Sequence, residues 1–69
     1  MRTLKRVRAN LIRLRKTKGY TQERLAFESD VAKGFLCEFE KGKKGISLIT
    51  LEKLADTLEI DIVEFFKKL

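Results

Sequence analysis

The stretch from Tyr20 to Lys43 constrains the fold of this chain more than any other part of the sequence. Thr21 is a hydroxyl residue of the kind that caps a helix, and Glu23 is an acid suited to the positive end of that helix. The pattern predicts a short helix over residues 22–28. A brief interruption follows, and then a second helical period that ends at Gly42.

The second of these helices has two distinct faces. Its inward face is apolar at helical spacing and comprises Val31, Leu36 and Phe39. Its outward face comprises Lys33, Gly34, Cys37, Glu38 and Lys41. Two short helices joined by a tight turn make a helix-turn-helix, whose second helix enters the major groove of DNA. We therefore expect a helix-turn-helix over about residues 21–41.

Four motifs at fixed spacings resemble the lambda-repressor/Cro-type helix-turn-helix family. They are G-Y-T-Q-E-x-L-A at 19–26, V-x-K at 31–33, F-E-K-G-K at 39–43 and S-L-x-T-L-E-K-L-A at 47–55. No single motif is diagnostic, but the four together cover about residues 11–66 and are specific. The resemblance implies an all-α, five-helix, lambda-repressor-like domain that occupies residues 1–69.

The resemblance also implies a function. Family members of this kind are sequence-specific regulators of transcription that bind a double-stranded DNA operator as homodimers. The small size, the K-G-I-S-L run and the final phenylalanine pair are most similar to restriction–modification controller proteins. A Cro-like phage repressor, or an antitoxin of the same fold, remains open. So does a protein-interaction module that acts through the last helix without DNA.

Two groups of residues are expected to contact DNA. Contacts to phosphates are expected from the start of the first short helix, at Gln22, and from the basic loop after the second, at Lys41, Lys43 and Lys44. Thr21 is also expected to belong to the DNA-binding surface. Contacts to base edges are expected from Lys33, Gly34, Phe35 and Glu38. Glu38 can accept a hydrogen bond from cytosine, but it can equally pair with Lys41 three residues on.

Three positions depart from the family pattern. Asp30 stands where glycine is usual, at a turn position that often needs a positive φ. Ala32 stands where a serine or threonine usually caps the second helix. Glu38 stands where neutral or basic residues are common. Elsewhere the pattern holds, and the resemblance implies an ion pair between Arg15 and Glu40.

The charge of the chain is unevenly distributed. The net charge is +6, and residues 1–19 contain eight basic residues and no acid. This segment predicts a first helix over about residues 3–18, with an apolar stripe at Leu4, Val7, Leu11 and Leu14 and a stop at Gly19. Its basic faces suit a polyanionic partner, although a solvated face is the simpler alternative.

Several classes of protein fit this sequence poorly. There is no histidine and a single cysteine, so we expect no metal site, no internal disulfide and no cofactor. Catalytic residues and a small-molecule ligand are not expected, because no nucleophile–base set or phosphate loop is evident. No apolar run approaches a membrane span and no signal peptide is evident, so a cytoplasmic protein is expected.

The last segment, residues 61–69, is expected to form a helix that starts at Asp61. It carries more large apolar residues than one face of a short helix needs, and we expect the surplus to form a dimer interface at Ile62, Phe65, Phe66 and Leu69. The alternative is that all four belong to the core of the monomer.

Overall fold

Four α-helices and a short 3-10 helix form the fold in the computed structural model, which describes residues 2–68. The α-helices are α1 (Arg2–Thr17), α2 (Gln22–Glu28), α3 (Lys33–Glu40) and α4 (Leu48–Leu58). The all-α fold is confirmed, and residues 2–68 contain no strand. The expected fifth α-helix is instead a 3-10 helix of five residues, Ile62–Phe66, because the backbone becomes extended at Lys67.

One apolar core receives side chains from all five helices. In α1 the stripe seen in the sequence points inward, with Val7, Leu11 and Leu14 buried and Leu4 half-buried. The side chains that fill the centre are fully buried and comprise Leu25, Leu36, Phe39, Leu54, Leu58 and Phe65. Since α2 and α3 bury only two apolar residues each, against three in α1 and four in α4, their positions depend on contacts with the two longer helices.

All four α-helices end in the same hydrogen-bonded turn. At the end of α3, the Gly42 N–H donates to the Phe39 carbonyl at 3.0 Å and the Lys43 N–H donates to the Glu38 carbonyl at 2.9 Å. The left-handed residues of the four turns are Gly19, Asp30, Gly42 and Glu59, with φ of 79°, 57°, 84° and 56°. The turn between α2 and α3 therefore keeps its usual geometry although Asp30 replaces glycine.

The C-terminal segment is held by Asn10, a fully buried polar residue of α1. Its amide nitrogen donates to the carbonyls of Phe65 at 2.9 Å and Lys67 at 2.7 Å, and its amide oxygen accepts from Arg13 at 3.1 Å. These bonds satisfy main-chain groups that the short 3-10 helix leaves unpaired. Asn10 thus fixes the segment against α1 and drives Phe65 into the core.

This anchoring corrects part of the expected dimer interface. Phe65 is fully buried within the monomer, so it cannot contact a second chain. Ile62 is half-buried and packs against the core. Phe66 is 36% exposed and remains available, while Leu69 lies outside the described residues.

Arg15 and Glu40 form a buried ion pair between α1 and α3. The Arg15 Nε lies 2.8 Å from Glu40 Oε2, and Arg15 Nη2 lies 3.0 Å from Glu40 Oε1. The two side chains are only 10% and 6% exposed. A third nitrogen of Arg15 donates to the Tyr20 carbonyl at 2.9 Å, and Gln22 Nε2 donates to Glu40 Oε1 at 2.8 Å. The pair therefore joins α1, the turn after it, α2 and α3.

Removing one charge of this pair should strongly destabilise the domain. In Glu40→Gln the Arg15 guanidinium stays buried without a counter-charge, which typically costs about 3–5 kcal/mol. For a domain of this size, that loss corresponds to a fall in Tm of at least about 10 °C, measurable by circular dichroism. The matched control is Glu28→Gln, which removes an exposed partner of Arg24 and should shift Tm far less. Equal melting of the two variants would contradict this role of the buried pair.

Candidate nucleic-acid interface

The N-termini of α2 and α3 differ in how they are capped. The Thr21 hydroxyl accepts from the Arg24 N–H at 3.0 Å, so Thr21 caps α2 as the sequence predicts. Ala32 has the extended backbone of a cap residue but makes no side-chain hydrogen bond to α3. The start of α3 is thus held by the preceding turn, in which the Val31 N–H donates to the Ala26 carbonyl at 2.9 Å.

Gln22 has a structural partner that the sequence did not reveal. Its amide nitrogen is bonded to Glu40, so this donor is already engaged in the free protein. The bond fixes the Gln22 side chain at the start of α2, beside the end of α3. A phosphate contact from Gln22 would have to use its main-chain N–H or exchange this bond.

Lys33 also has a partner, on the neighbouring helix. Its Nζ lies 3.1 Å from Glu23 Oε2, and the two side chains are 63% and 75% exposed. Such exposed pairs contribute little to stability, so the lysine can leave Glu23 for a nucleic-acid acceptor at small cost. No local sequence pattern indicates this pair, because its two members come from different helices.

The outer face of α3 presents Gly34, Cys37, Glu38 and Lys41, at spacings that place them on one side of the helix. Gly34 is exposed, and apart from the adjoining backbone of α3 a Cβ built on it would meet no heavy atom of residues 2–68 within 4 Å. Phe35 lies nearer the core, half-buried and stacked on Phe39 with ring centroids 6.3 Å apart. Only the outer part of the Phe35 ring can reach a DNA base.

Glu38 lies half-buried on the same face. The expected ion pair with Lys41 is not formed, and within residues 2–68 the Glu38 carboxylate has no hydrogen-bond or ion-pair partner. An unpaired carboxylate on this face can accept hydrogen bonds from a ligand but repels phosphate. Its chemistry therefore suits a cytosine amino group better than the DNA backbone.

The loop after α3 carries unpaired positive charge. Lys41, Lys43 and Lys44 are exposed, and none of them is paired with an acid of residues 2–68. The start of the loop is nevertheless rigid, because Gly42 and Lys43 donate main-chain hydrogen bonds back to α3. Ammonium groups on a fixed loop are well suited to phosphate oxygens.

Arg24, near the start of α2, is not an unpaired cation of this kind. Arg24 Nε lies 2.8 Å from Glu28 Oε2, and its guanidinium carbon lies 4.4 Å from the centroid of the Tyr20 ring. The hydrogen bond from Arg24 lowers the pKa of Glu28, while burial and the hydrogen bond to Glu28 raise the pKa of Tyr20. Arg24 is thus paired with an acid at the surface, whereas the lysines of the loop after α3 have no acidic partner within residues 2–68.

The basic residues of α1 lie mainly on its outer faces, with Arg2, Lys5, Arg13 and Lys16 exposed. Within residues 2–68, no helix combines the length and apolar character needed to cross a membrane. The structure thus combines an exposed face of α3, a lysine loop whose start is hydrogen-bonded to α3, and a basic first helix.

Comparison with known proteins gives matches over most of the chain. A family model described as helix-turn-helix matches residues 11–65. An HTH-type transcriptional regulator of Sinorhizobium fredii is 38% identical over 60 residues, which cover 87% of this chain and 78% of that protein. The control protein C.BamHI of Bacillus amyloliquefaciens is 35% identical over 57 residues, which cover 78% and 69%.

A solved structure is similar over nearly the same extent. The restriction–modification controller protein C.AhdI of Aeromonas hydrophila superposes with a TM-score of 0.88 at 35% sequence identity. The match covers 96% of this chain and 100% of the C.AhdI chain. The similarity therefore includes α1 and the C-terminal segment as well as α2 and α3.

Gly34 offers a test of whether α3 approaches DNA closely. Nothing in the protein requires a glycine there, so Gly34→Ala should stabilise the free domain by up to about 1 kcal/mol through helix propensity. The added methyl group points outward and should weaken binding to duplex DNA if the backbone contacts the groove. Melting curves and fluorescence anisotropy measure the two effects. A variant that is more stable and binds DNA as tightly as the unsubstituted protein would show that this close approach does not occur.

Proposed function

Because this chain belongs to the helix-turn-helix family of DNA-binding transcriptional regulators, we propose that it binds an operator as a homodimer and acts as the controller of a restriction–modification system. The observation that carries the controller assignment is the extent of the match. The similarity to C.AhdI covers all of that chain, so it is not confined to a shared helix-turn-helix. We place this activity in the cytoplasm, where such operators are found.

The exposed chemistry of α3 supports direct readout of an operator. The outer face presents a backbone without a side chain at Gly34, an unpaired carboxylate at Glu38 and a weakly held ammonium at Lys33. In the major groove these groups complement different partners, since guanine offers acceptors and cytosine offers an amino donor. On a face that bound DNA only through attraction to phosphates, a carboxylate would weaken binding.

The lysine loop supports the sequence-independent part of binding. Lys41, Lys43 and Lys44 follow α3 directly and are exposed, so they can reach phosphates beside the groove that α3 enters. Each phosphate that is neutralised makes binding more sensitive to salt. Salt-dependent binding to random duplex DNA would also separate this function from that of a module that binds only proteins.

Homodimerisation is supported by an apolar surface that the monomer leaves uncovered. Leu48 and Ile49 at the start of α4 are 68% and 69% exposed, and Val63 and Phe66 of the 3-10 helix are 50% and 36% exposed. Leu48 and Phe66 line one groove, of about 370 Å³, together with residues of α1. Exposed apolar residues that share a groove are typical of protein interfaces. A two-fold dimer through this surface would present two copies of α3.

The dimer can be tested by charge insertion. Phe66→Asp should disrupt the apolar surface and give a monomer, because a buried carboxylate without a partner is strongly unfavourable at an interface. Sedimentation velocity over a range of concentrations measures the change, and operator affinity should fall with it. Phe27→Asp is the matched control, since Phe27 is 85% exposed on α2 and does not line the groove. A wild-type protein that stays monomeric at tens of micromolar would refute the dimer.

The two kinds of DNA contact should respond differently to substitution. Operators are first selected from a random pool of duplexes and sequenced. Glu38→Gln should then change the preferred base at one position of each half-site, by about 1–3 kcal/mol. Lys43→Ala should weaken all duplexes by a similar factor and reduce the slope of log K against log salt by about one unit. If Lys43→Ala changed base preference and Glu38→Gln did not, the assignment of the reading face would be wrong.

A further inference from the structure

Arg8 of α1 is fixed beneath the turn that leads from α3 into the lysine loop. Its Nε donates to the Phe39 carbonyl at 2.9 Å, and the same carbonyl accepts the Gly42 N–H at 3.0 Å. Its guanidinium carbon lies 5.5 Å from the centroid of the Phe39 ring. The side chain is therefore held by a hydrogen bond and by contact with an aromatic ring that is itself buried.

The charge of Arg8 is not neutralised by an acid. Arg15 and Arg24 each pair with a glutamate, whereas within residues 2–68 Arg8 has no carboxylate partner. Only its Nε takes part in a hydrogen bond among these residues, which leaves the two terminal nitrogens unused. No buried side-chain nitrogen or oxygen in the described part of the chain lacks a partner, so these two nitrogens reach the surface.

Gly42 keeps this guanidinium accessible. A Cβ built on Gly42 would lie 3.5 Å from the guanidinium carbon and 3.7 Å from Nη1 of Arg8. A longer side chain at that position would lie against the guanidinium and cover it. The glycine thus has two effects, since its φ of 84° makes the turn and its missing side chain exposes Arg8.

We propose that Arg8 is a phosphate-binding residue, which extends the DNA-contacting surface from the lysine loop onto α1. The inference rests on the proposed binding to duplex DNA and assigns a contact outside the helix-turn-helix. A guanidinium can bind a phosphate through two N–H groups at once, and a fixed one loses little entropy when it does so. Lys41 and Lys43 flank Gly42 in the sequence and are exposed, so the Arg8 guanidinium adds a positive charge next to the turn that carries these two lysines.

The test compares three variants of the full chain on a random-sequence duplex and on a selected operator. Arg8→Gln keeps a donor for the Phe39 carbonyl and removes the charge, whereas Arg8→Lys keeps the charge. Arg6→Gln is the control, because Arg6 projects from the opposite side of α1, about 200° away in helical angle. Affinity is measured by fluorescence anisotropy across a salt series, and thermal melts show that each variant is folded.

Arg8→Gln is expected to weaken both duplexes by the same factor and to reduce the slope of log K against log salt by about 0.9, the value for one phosphate contact. Arg8→Lys should retain most of the slope, and Arg6→Gln should change it less than Arg8→Gln does. An unchanged slope in Arg8→Gln, with only a lower Tm, would overturn the proposal and leave Arg8 as a cap of α3. If Arg8→Lys reduced the slope as much as Arg8→Gln, the proposal would also be overturned. If the unsubstituted protein bound no duplex at all, the proposed function itself would fail instead.

Discussion

The buried ion pair between Arg15 and Glu40 is the interaction on which the arrangement of the helix-turn-helix depends. Helices of seven and eight residues are too short to be stable alone, so α2 and α3 must take their orientation from contacts with the rest of the chain. The carboxylate of Glu40 receives Arg15 from α1 and Gln22 from α2. One acid at the end of α3 therefore sets the position of that helix relative to both of its neighbours.

Desolvation makes this arrangement demanding as well as specific. Two charges with side chains only 10% and 6% exposed have lost most of their hydration. Their mutual attraction offsets this desolvation cost only if their hydrogen bonds have good geometry. Here the guanidinium makes three hydrogen bonds, and one carboxylate oxygen accepts two. A shift of α3 would break several of these bonds together, so the recognition helix has little freedom to slide or tilt within the folded domain.

The elements set by local signals could be predicted from the sequence. Thr21 and Asp61 each cap the helix that was expected to follow, and Gly19 and Gly42 each end one. The Arg15–Glu40 pair followed from the family resemblance and is present. Glu59 was not predicted as a helix end, because nothing about an isolated glutamate indicates a φ of 56°; only the hydrogen bonds of the turn impose it.

Features that depend on distant parts of the chain were not predictable in the same way. Asn10 looked like one polar residue beside an apolar stripe, and its role appears only when Phe65 and Lys67 approach it. The burial of Phe65 was missed for the same reason. At the candidate site, helical spacing was enough to predict which residues lie on the outer face of α3. The partners of Lys33 and Gln22 lie on other helices, so only the structure reveals them.

The way in which Asn10 holds the C-terminal segment places few constraints on the amino-acid sequence of that segment. Its amide recognises main-chain oxygens, which every residue type possesses, rather than any particular side chain. Apart from the buried Phe65 and from Ile62, which packs against the core, the side chains of the 3-10 helix take no part in this anchor. Related chains could keep one scaffold and diversify this surface independently of α3. Under the proposed dimerisation, chains that share α3 but differ in this surface would not form mixed assemblies.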